Sequence, residues 1–182
     1  HNNRILVAQG VARIRAGKAR PGLLALLSIA KRQHHNLQAS DLGFSVGPRL
    51  NAAGRLDDMS LGIECLLSDN EQIATQLAQE LDELNAQRRH IEADMQQQAS
   101  NILALLETSQ DNQMPKCVCL YHPDWHQGVV GIVASRIKEK WHRPALVFAK
   151  GDAGTLKGSC RSIAGFHIRD ALAAVDAQHP GL

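Results

Sequence analysis

The sequence is poor in several residue types and patterns, and each shortage excludes a class of protein. Only 3% of its 182 residues are aromatic, so the core must be built from Leu, Ile, Val and Ala. A formal net charge of +2 is too small to predict a nucleic-acid partner without local clusters of basic side chains. No apolar run approaches the length of a membrane span, and we expect a cytoplasmic protein without a membrane anchor.

The four cysteines do not form the pattern of a zinc site. Cys65 and Cys160 are isolated, whereas Cys117 and Cys119 are separated by one residue within an apolar run. Zinc sites typically combine two close pairs at a characteristic spacing, and such pairs are missing here. We therefore predict buried free thiols, as in proteins of a reducing compartment.

Common catalytic and metal-binding signatures are missing as well. The sequence has no phosphate-loop lysine motif, no G-x-S-x-G elbow and no HExxH. His34 and His35 have no adjacent carboxylate, and neighbouring helical side chains point in different directions, which disfavours a metal site. Asp57 and Asp58 are expected to cap the following helix or to neutralise Arg55.

The first part of the chain is predicted to be helical. Residues 3–16 and 21–30 have the apolar spacing of helices, with Gly17 as a helix stop, and residues 59–68 predict another helix. From residue 70 to about residue 108, apolar or small side chains recur every three or four positions except across Arg88. This predicts one helix of about 50 Å. A coiled-coil strand has the same pattern, but compact sequence on both sides favours a helix that connects two domains.

The segment GFSVGPRLNAAGRLDD, residues 43–58, carries three polar side chains among glycines and alanines. Arg49, Asn51 and Arg55 lie within seven residues, and no apolar stripe explains their spacing. Guanidinium groups with small neighbours are suited to holding an anion at close range. The residues by themselves do not say which anion.

The second part of the chain is predicted to be an α/β domain. Strands at 116–122, 143–150 and 155–163 alternate with helices at 128–141 and 167–179. Three strands are few for a complete sheet. The sequence also begins without an initiator Met, so we expect it to be a fragment of a longer protein.

Two segments of the α/β part are suited to anion binding. In HQGVVGIVASR (126–136), Gly128 and Gly131 allow close backbone approach at the start of a helix, where unpaired amides attract anions. The alternative is close packing of helix on sheet, and His126 could cap, pack or contact a ligand. In GTLKGSCRSI (154–163), alternation places Lys157, Ser159 and Arg161 on one strand face, which forms a row for phosphate or else a solvated face.

Three longer segments occur in order along the chain, with the long helix after the first. They are SVGPRLNAAGRLDD, YHPDWHQGVVGIVASRIKEKWHRPALVFA and GTLKGSCRSIAGFHIRDAL. Together they resemble the RecJ family, the single-strand-specific DNA exonucleases of bacteria within the DHH phosphoesterase superfamily. The resemblance covers essentially the whole chain. It implies an α/β fold with the helical end of a DHH domain, a long connecting helix and a partial α/β DHHA1 domain, and an active cleft between the two domains.

The resemblance also implies domain boundaries. Residues 1–69 correspond to the C-terminal part of the DHH domain, 70–108 to the connecting helix, 109–113 to a linker and 114–182 to the N-terminal part of DHHA1. The family's Asp-His-His and other aspartate motifs, which hold the metals, are absent from this sequence, as is the Gly-Gly-His motif of DHHA1. We therefore expect no catalytic residue or metal ligand in this chain, and no hydrolysis of DNA by the chain alone.

The resemblance assigns roles to the residues already singled out. The expected substrate-contacting residues are Arg49, Asn51, Arg55, His126, Ser159 and Arg161. The full-length protein is expected to be a monomer that uses Mn or Mg to degrade single-stranded DNA from its 5′ end. Two alternatives stay open: a phosphodiesterase of the same superfamily that acts on oligonucleotides or cyclic dinucleotides, and a non-catalytic nucleic-acid-binding or scaffold module.

Overall fold

The computed structural model describes residues 2–107 and 115–179, which form eight α-helices and three β-strands. They are α1 (Asn2–Arg15), α2 (Pro21–Ile29), α3 (Ala39–Asp41), α4 (Gly47–Leu56), α5 (Ser60–Leu67), α6 (Glu71–Glu107), β1 (Val118–His122), α7 (Val130–Trp141), β2 (Ala145–Lys150), β3 (Leu156–Arg161) and α8 (Ile168–Gln178). A helical first part and an α/β second part confirm the expected fold class. The predicted linker at 109–113 lies outside the described residues.

The chain divides into two compact units, residues 1–89 and 90–182, and the boundary lies inside α6. The prediction of a single long helix is confirmed, because α6 has 37 residues. Its apolar period is interrupted at Arg88, next to the boundary. Each half of α6 buries its own stripe of side chains: Ala74, Ala78 and Leu81 in the first unit, and Met95, Ala99 and Leu103 in the second.

The first unit is a helical cluster around a small aliphatic core. Gly17 ends α1 in a left-handed conformation with φ of 71°, and Pro21 begins α2, where its missing N–H costs no hydrogen bond. The core comprises side chains from α1, α2, the segments before α4, and α4 to α6: Ile14, Leu26, Leu27, Leu37, Val46, Ala53, Cys65, Ala78 and Leu81.

The backbones of α2 and α5 approach unusually closely. A Cβ atom built on Gly22 of α2 would lie 1.7 Å from the carbonyl oxygen of Cys65 in α5. The Cys65 thiol also faces the Gly22 carbonyl oxygen at 3.9 Å. Only glycine fits at this crossing, because any side chain would collide with backbone.

The second unit contains a three-stranded sheet in the order β1-β2-β3. β1 and β2 are parallel and are connected through α7, whereas β2 and β3 are antiparallel. α7 contacts β2 and β3, and one face of the sheet is buried through alternate side chains: Val118, Leu120, Ala145, Val147 and Ala149. Three strands, two of them parallel, match the strands predicted from the sequence.

The prediction of buried thiols is correct only for Cys65. Cys117 and Cys160 are half-buried and Cys119 is exposed, although all four are free. Cys119 pairs with Leu146, and Leu146 pairs with Cys160, so these residues occupy the sheet face opposite the buried row. The sequence pattern correctly indicated a strand but could not show which of its faces is covered.

Candidate functional site

Helix α4 separates the three polar side chains of the GPRLNAAGR segment. A π-helical segment, Leu42–Val46, leads into α4, whose Ala52 and Ala53 are fully buried. Asn51 and Arg55 are four residues apart and therefore share one helix face, which is exposed. Arg49 lies on a different face.

Arg49 is held by contacts inside the first unit. One terminal nitrogen lies 2.8 Å from a carboxylate oxygen of Asp82 in α6, and the other donates a hydrogen bond of 2.6 Å to the Ser45 carbonyl oxygen. The Arg49 side chain is only 12% exposed. Since two of its nitrogens have acceptors within the protein, its contact with a substrate remains a prediction, whereas its contact with α6 is structural.

Asp58 lies just beyond this segment, where its carboxylate accepts a hydrogen bond of 3.0 Å from the Ser60 backbone N–H. This bond lowers the pKa of the Asp58 carboxyl, because it stabilises the ionised form. Of the two roles expected for the aspartate pair, Asp58 has the capping one, at the start of α5.

In the second unit, the turn before α7 contains His126. Its Nδ1 accepts a hydrogen bond of 3.1 Å from the Gly128 N–H, so in the neutral ring the proton is on Nε2. The His126 carbonyl oxygen accepts from the Val129 N–H. His126 thus shapes the turn that begins α7, and the expected contact between its ring and a substrate stays a prediction.

Arg161, near the end of β3, reaches across to α7. Its Nε donates to the Ser135 hydroxyl oxygen at 2.7 Å. Its Nη1 donates to the Ser159 hydroxyl oxygen and to the Cys160 carbonyl oxygen, both at 2.8 Å. Its Nη2 has no acceptor in the described part of the chain.

The Arg161 guanidinium lies directly against the first turn of α7. A Cβ atom on Gly131 would lie 3.1 Å from Arg161 Nη2 and 3.2 Å from Ser159 Oγ. The backbone N–H groups of Val130 and Gly131 donate to no acceptor within residues 2–107 and 115–179, as is usual in a first helical turn. Unpaired amides, a hydroxyl and a guanidinium edge are therefore neighbours around Gly131.

The register of β3 places Ser159 opposite Val147 and Arg161 opposite Ala145. Both of those β2 partners are buried, so Ser159 and Arg161 are on the sheet face that carries α7. The alternative for this row was a fully solvated strand face. It holds only for Lys157, whose side chain is exposed. Ser135 was missed by the sequence analysis, because its contact with Arg161 spans 26 residues and has no local signal.

Metal binding does not fit the side chains described here. No group of three His, Cys, Asp or Glu side chains in those ranges is arranged to hold a metal ion. No helix within the same ranges is both long enough and apolar enough to cross a membrane. Two polar sets remain, an exposed one on α4 and a half-buried one where β3 meets α7, and both are suited to anions.

Comparison with known proteins shows which proteins this chain is similar to. The model of the DHHA1 domain matches residues 114–181. The chain is 59% identical over 181 residues to the single-stranded-DNA-specific exonuclease RecJ of Dickeya dadantii (strain 3937) and equally to that of Escherichia coli (strain K12). The similarity to RecJ therefore extends over the whole of this chain. Each RecJ match covers 100% of this chain and 31% of the relative, so the chain spans about a third of the length of these proteins.

Solved RecJ structures are similar to this chain as well. The crystal structure of RecJ in complex with Mg²⁺ from Thermus thermophilus matches with a TM-score of 0.78 at 34% identity, over 96% of this chain and 26% of that one. A structure of the same RecJ in complex with Mn²⁺ matches with the same TM-score and identity. The RecJ resemblance of the three sequence segments is thereby confirmed.

Proposed function

We propose that this chain is part of a single-stranded-DNA-specific exonuclease, to which it contributes groups that hold the DNA backbone. The observation that carries the proposal is 59% identity over 181 residues to proteins named as single-stranded-DNA-specific exonuclease RecJ. Degradation from the 5′ end, by hydrolysis of phosphodiester bonds, is part of the same proposal.

The second unit would contribute a phosphate contact centred on Arg161. Its Nη2 carries two N–H donors without an acceptor among the described residues, and the Ser159 hydroxyl accepts from Arg161 and keeps its own proton. The N-terminal end of the 12-residue helix α7 adds a favourable dipole for a negative charge. Because Gly131 has no side chain, the Arg161 guanidinium can lie directly against the first turn of α7, whose amides also attract a phosphate.

The first unit would contribute a second contact, from the exposed face of α4. Asn51 and Arg55 share that face and can donate hydrogen bonds to phosphate or sugar oxygens. Contacts with phosphates hold any sequence equally well, which suits an enzyme that must act along the whole of a strand.

Divalent metal ions would supply the hydrolytic chemistry in the full-length protein. RecJ structures similar to this chain are in complex with Mg²⁺ or Mn²⁺, so we expect one of these ions. A metal ion can generate a nucleophilic hydroxide and stabilise the leaving oxygen. Since the described residues offer no metal site, the role proposed for this chain is limited to binding and orienting DNA.

The proposal is tested by alanine substitutions in the full-length protein. Arg161→Ala removes a charge-assisted contact, and we expect kcat/KM on a 5′-labelled single strand to fall by about tenfold to a hundredfold. The slope of log Kd against log salt concentration should fall by about 0.7, the contribution of one neutralised phosphate on a single strand. Arg55→Ala should weaken binding in the same manner.

Arg136→Ala is the matched control. Arg136 is also in the second unit but is 53% exposed, and its ion-pair partners are Glu92 at 3.6 Å and Glu139 at 3.4 Å. Its substitution removes the same charge and should change the nuclease rate little. Equal rates for wild type, Arg161→Ala and Arg55→Ala would remove both arginines from the substrate site.

The substrate distinguishes the proposal from its nearest alternative. A single-strand exonuclease should shorten long strands progressively, whereas a dinucleotide or cyclic-dinucleotide phosphodiesterase should leave them intact. Cleavage of dinucleotides only, with long strands untouched, would replace the exonuclease proposal by that alternative.

A further inference from the structure

Three of the five N–H groups of Arg161 are already bound within the second unit. Nε is bound by Ser135, and the two protons of Nη1 are taken by Ser159 and by the Cys160 carbonyl oxygen. A guanidinium group is planar, so acceptors on two of its nitrogens fix both its position and the orientation of its third nitrogen. That third nitrogen, Nη2, is the one that lies over Gly131.

Ser135 differs from the other two acceptors because it comes from another element. Ser159 and Cys160 belong to β3 itself, next to Arg161 in sequence, whereas Ser135 is in α7. The Ser135 hydroxyl donates its proton to the Gly131 carbonyl oxygen, 3.1 Å away. Because the hydroxyl proton is used in the bond to Gly131, the lone pairs of the Ser135 oxygen can accept the Arg161 Nε–H.

We propose that Ser135 is a positioning residue, which holds the Arg161 guanidinium against the first turn of α7 so that Nη2 faces the phosphate of a bound DNA strand. The inference rests on the proposed function, since it concerns the same phosphate contact. Ser135 itself does not touch the DNA. Ser135 orients the cation through one hydrogen bond. Its second hydrogen bond goes to Gly131, whose lack of a side chain lets the guanidinium lie against the first turn of α7.

The experiment is a double-mutant cycle in the full-length protein. The Kd for fluorescein-labelled oligothymidylate is measured in EDTA, so that binding is observed without hydrolysis. Ser135→Ala should weaken binding by about threefold to tenfold, the effect of one lost hydrogen bond. In the Arg161→Ala background the same substitution should change Kd by less than about twofold, because the group that Ser135 holds is gone.

Two further variants separate positioning from a general effect on structure. Ser135→Thr keeps the hydroxyl and should restore binding to within about twofold of wild type. Thr75→Ala removes another hydroxyl that donates to the carbonyl oxygen four residues earlier, that of Glu71 at 2.7 Å. Thr75 is in the first unit, and no arginine among the described residues donates to its hydroxyl. Its Kd should equal that of wild type. The emission of Trp125 and Trp141, measured in the 182-residue chain with the same substitutions, checks that the second unit is folded.

The outcomes distinguish this inference from the function on which it rests. If Arg161→Ala weakens binding but Ser135→Ala does not, the positioning role is wrong and the phosphate contact stands. Equal losses from Ser135→Ala with and without Arg161 would also overturn the positioning role, because they indicate an independent effect. An unchanged Kd for Arg161→Ala would overturn both the phosphate contact and the inference.

Discussion

The close crossing of α2 and α5 predicts how much stability the substitution Gly22→Ala costs, and the magnitude follows from one distance. In Gly22→Ala, the new methyl group would lie 1.7 Å from the Cys65 carbonyl oxygen, and ordinary contact begins at 3.4 Å. The obstacle is backbone, so it cannot turn away as a side chain would, and one helix must move by about 1.7 Å. Overpacking of a core costs about 1–3 kcal/mol, and a collision with backbone belongs at the upper end.

Alanine also has a favourable effect, which is smaller. Its better helix propensity stabilises a helix by about 1 kcal/mol relative to glycine. The net loss expected for Gly22→Ala is therefore about 2 kcal/mol or more, a large part of the stability of an ordinary domain. The displaced helices would also loosen the core around Leu26 and Leu27, which are almost fully buried.

The assay is urea unfolding of the 182-residue chain, observed with two signals. Far-UV circular dichroism reports the helices, most of which are in the first unit, whereas both tryptophans, Trp125 and Trp141, are in the second. The circular dichroism midpoint of Gly22→Ala should fall clearly. Native tryptophan emission before the transition would show that the second unit is folded, so that the loss belongs to the first.

Gly10→Ala is the matched control for this prediction. Gly10 is also a helical glycine, in α1, but a Cβ atom there would meet nothing within 4 Å. Its substitution should leave the chain unchanged or stabilise it by about 0.5–1 kcal/mol. If Gly22→Ala were as stable as Gly10→Ala, the close approach of the α2 and α5 backbones would be refuted.

Three other predictions concern Asp82 and the thiols. Asp82→Asn should destabilise the chain by about 1–2 kcal/mol, because it leaves the poorly exposed Arg49 without its counter-ion. This value lies between those for exposed and for buried ion pairs. The control is Asp94→Asn, which removes an exposed ion pair with His90 and should cost less than about 0.5 kcal/mol in the same urea assay. Burial raises the pKa of the Cys65 thiol, so the unfolded chain ionises first and stability should fall as the pH rises beyond about 8.5. Iodoacetamide should alkylate the exposed Cys119 well before Cys65, and equal rates by mass spectrometry would contradict the burial of Cys65.

The sequence by itself determined most of the helices and strands and the resemblance to RecJ, but it did not predict helix α4. Periodicity located α6 within one residue at each end, because an amphipathic stripe depends only on local spacing. Alternation along β3 correctly placed Ser159 and Arg161 on one face, for the same reason. The three RecJ-like segments were recognisable without coordinates, since a match of residues in order needs no geometry.

Only the tertiary structure decided how the arginines are used and which surfaces are covered. Arg49 and Asp82 are 33 positions apart, and Arg161 and Ser135 are 26 apart. Such contacts depend on how whole helices pack, and neither composition nor period records that packing. The exposure of Cys119 was missed for the same reason: alternation defines two faces of a strand, but a neighbouring helix decides which of them is buried.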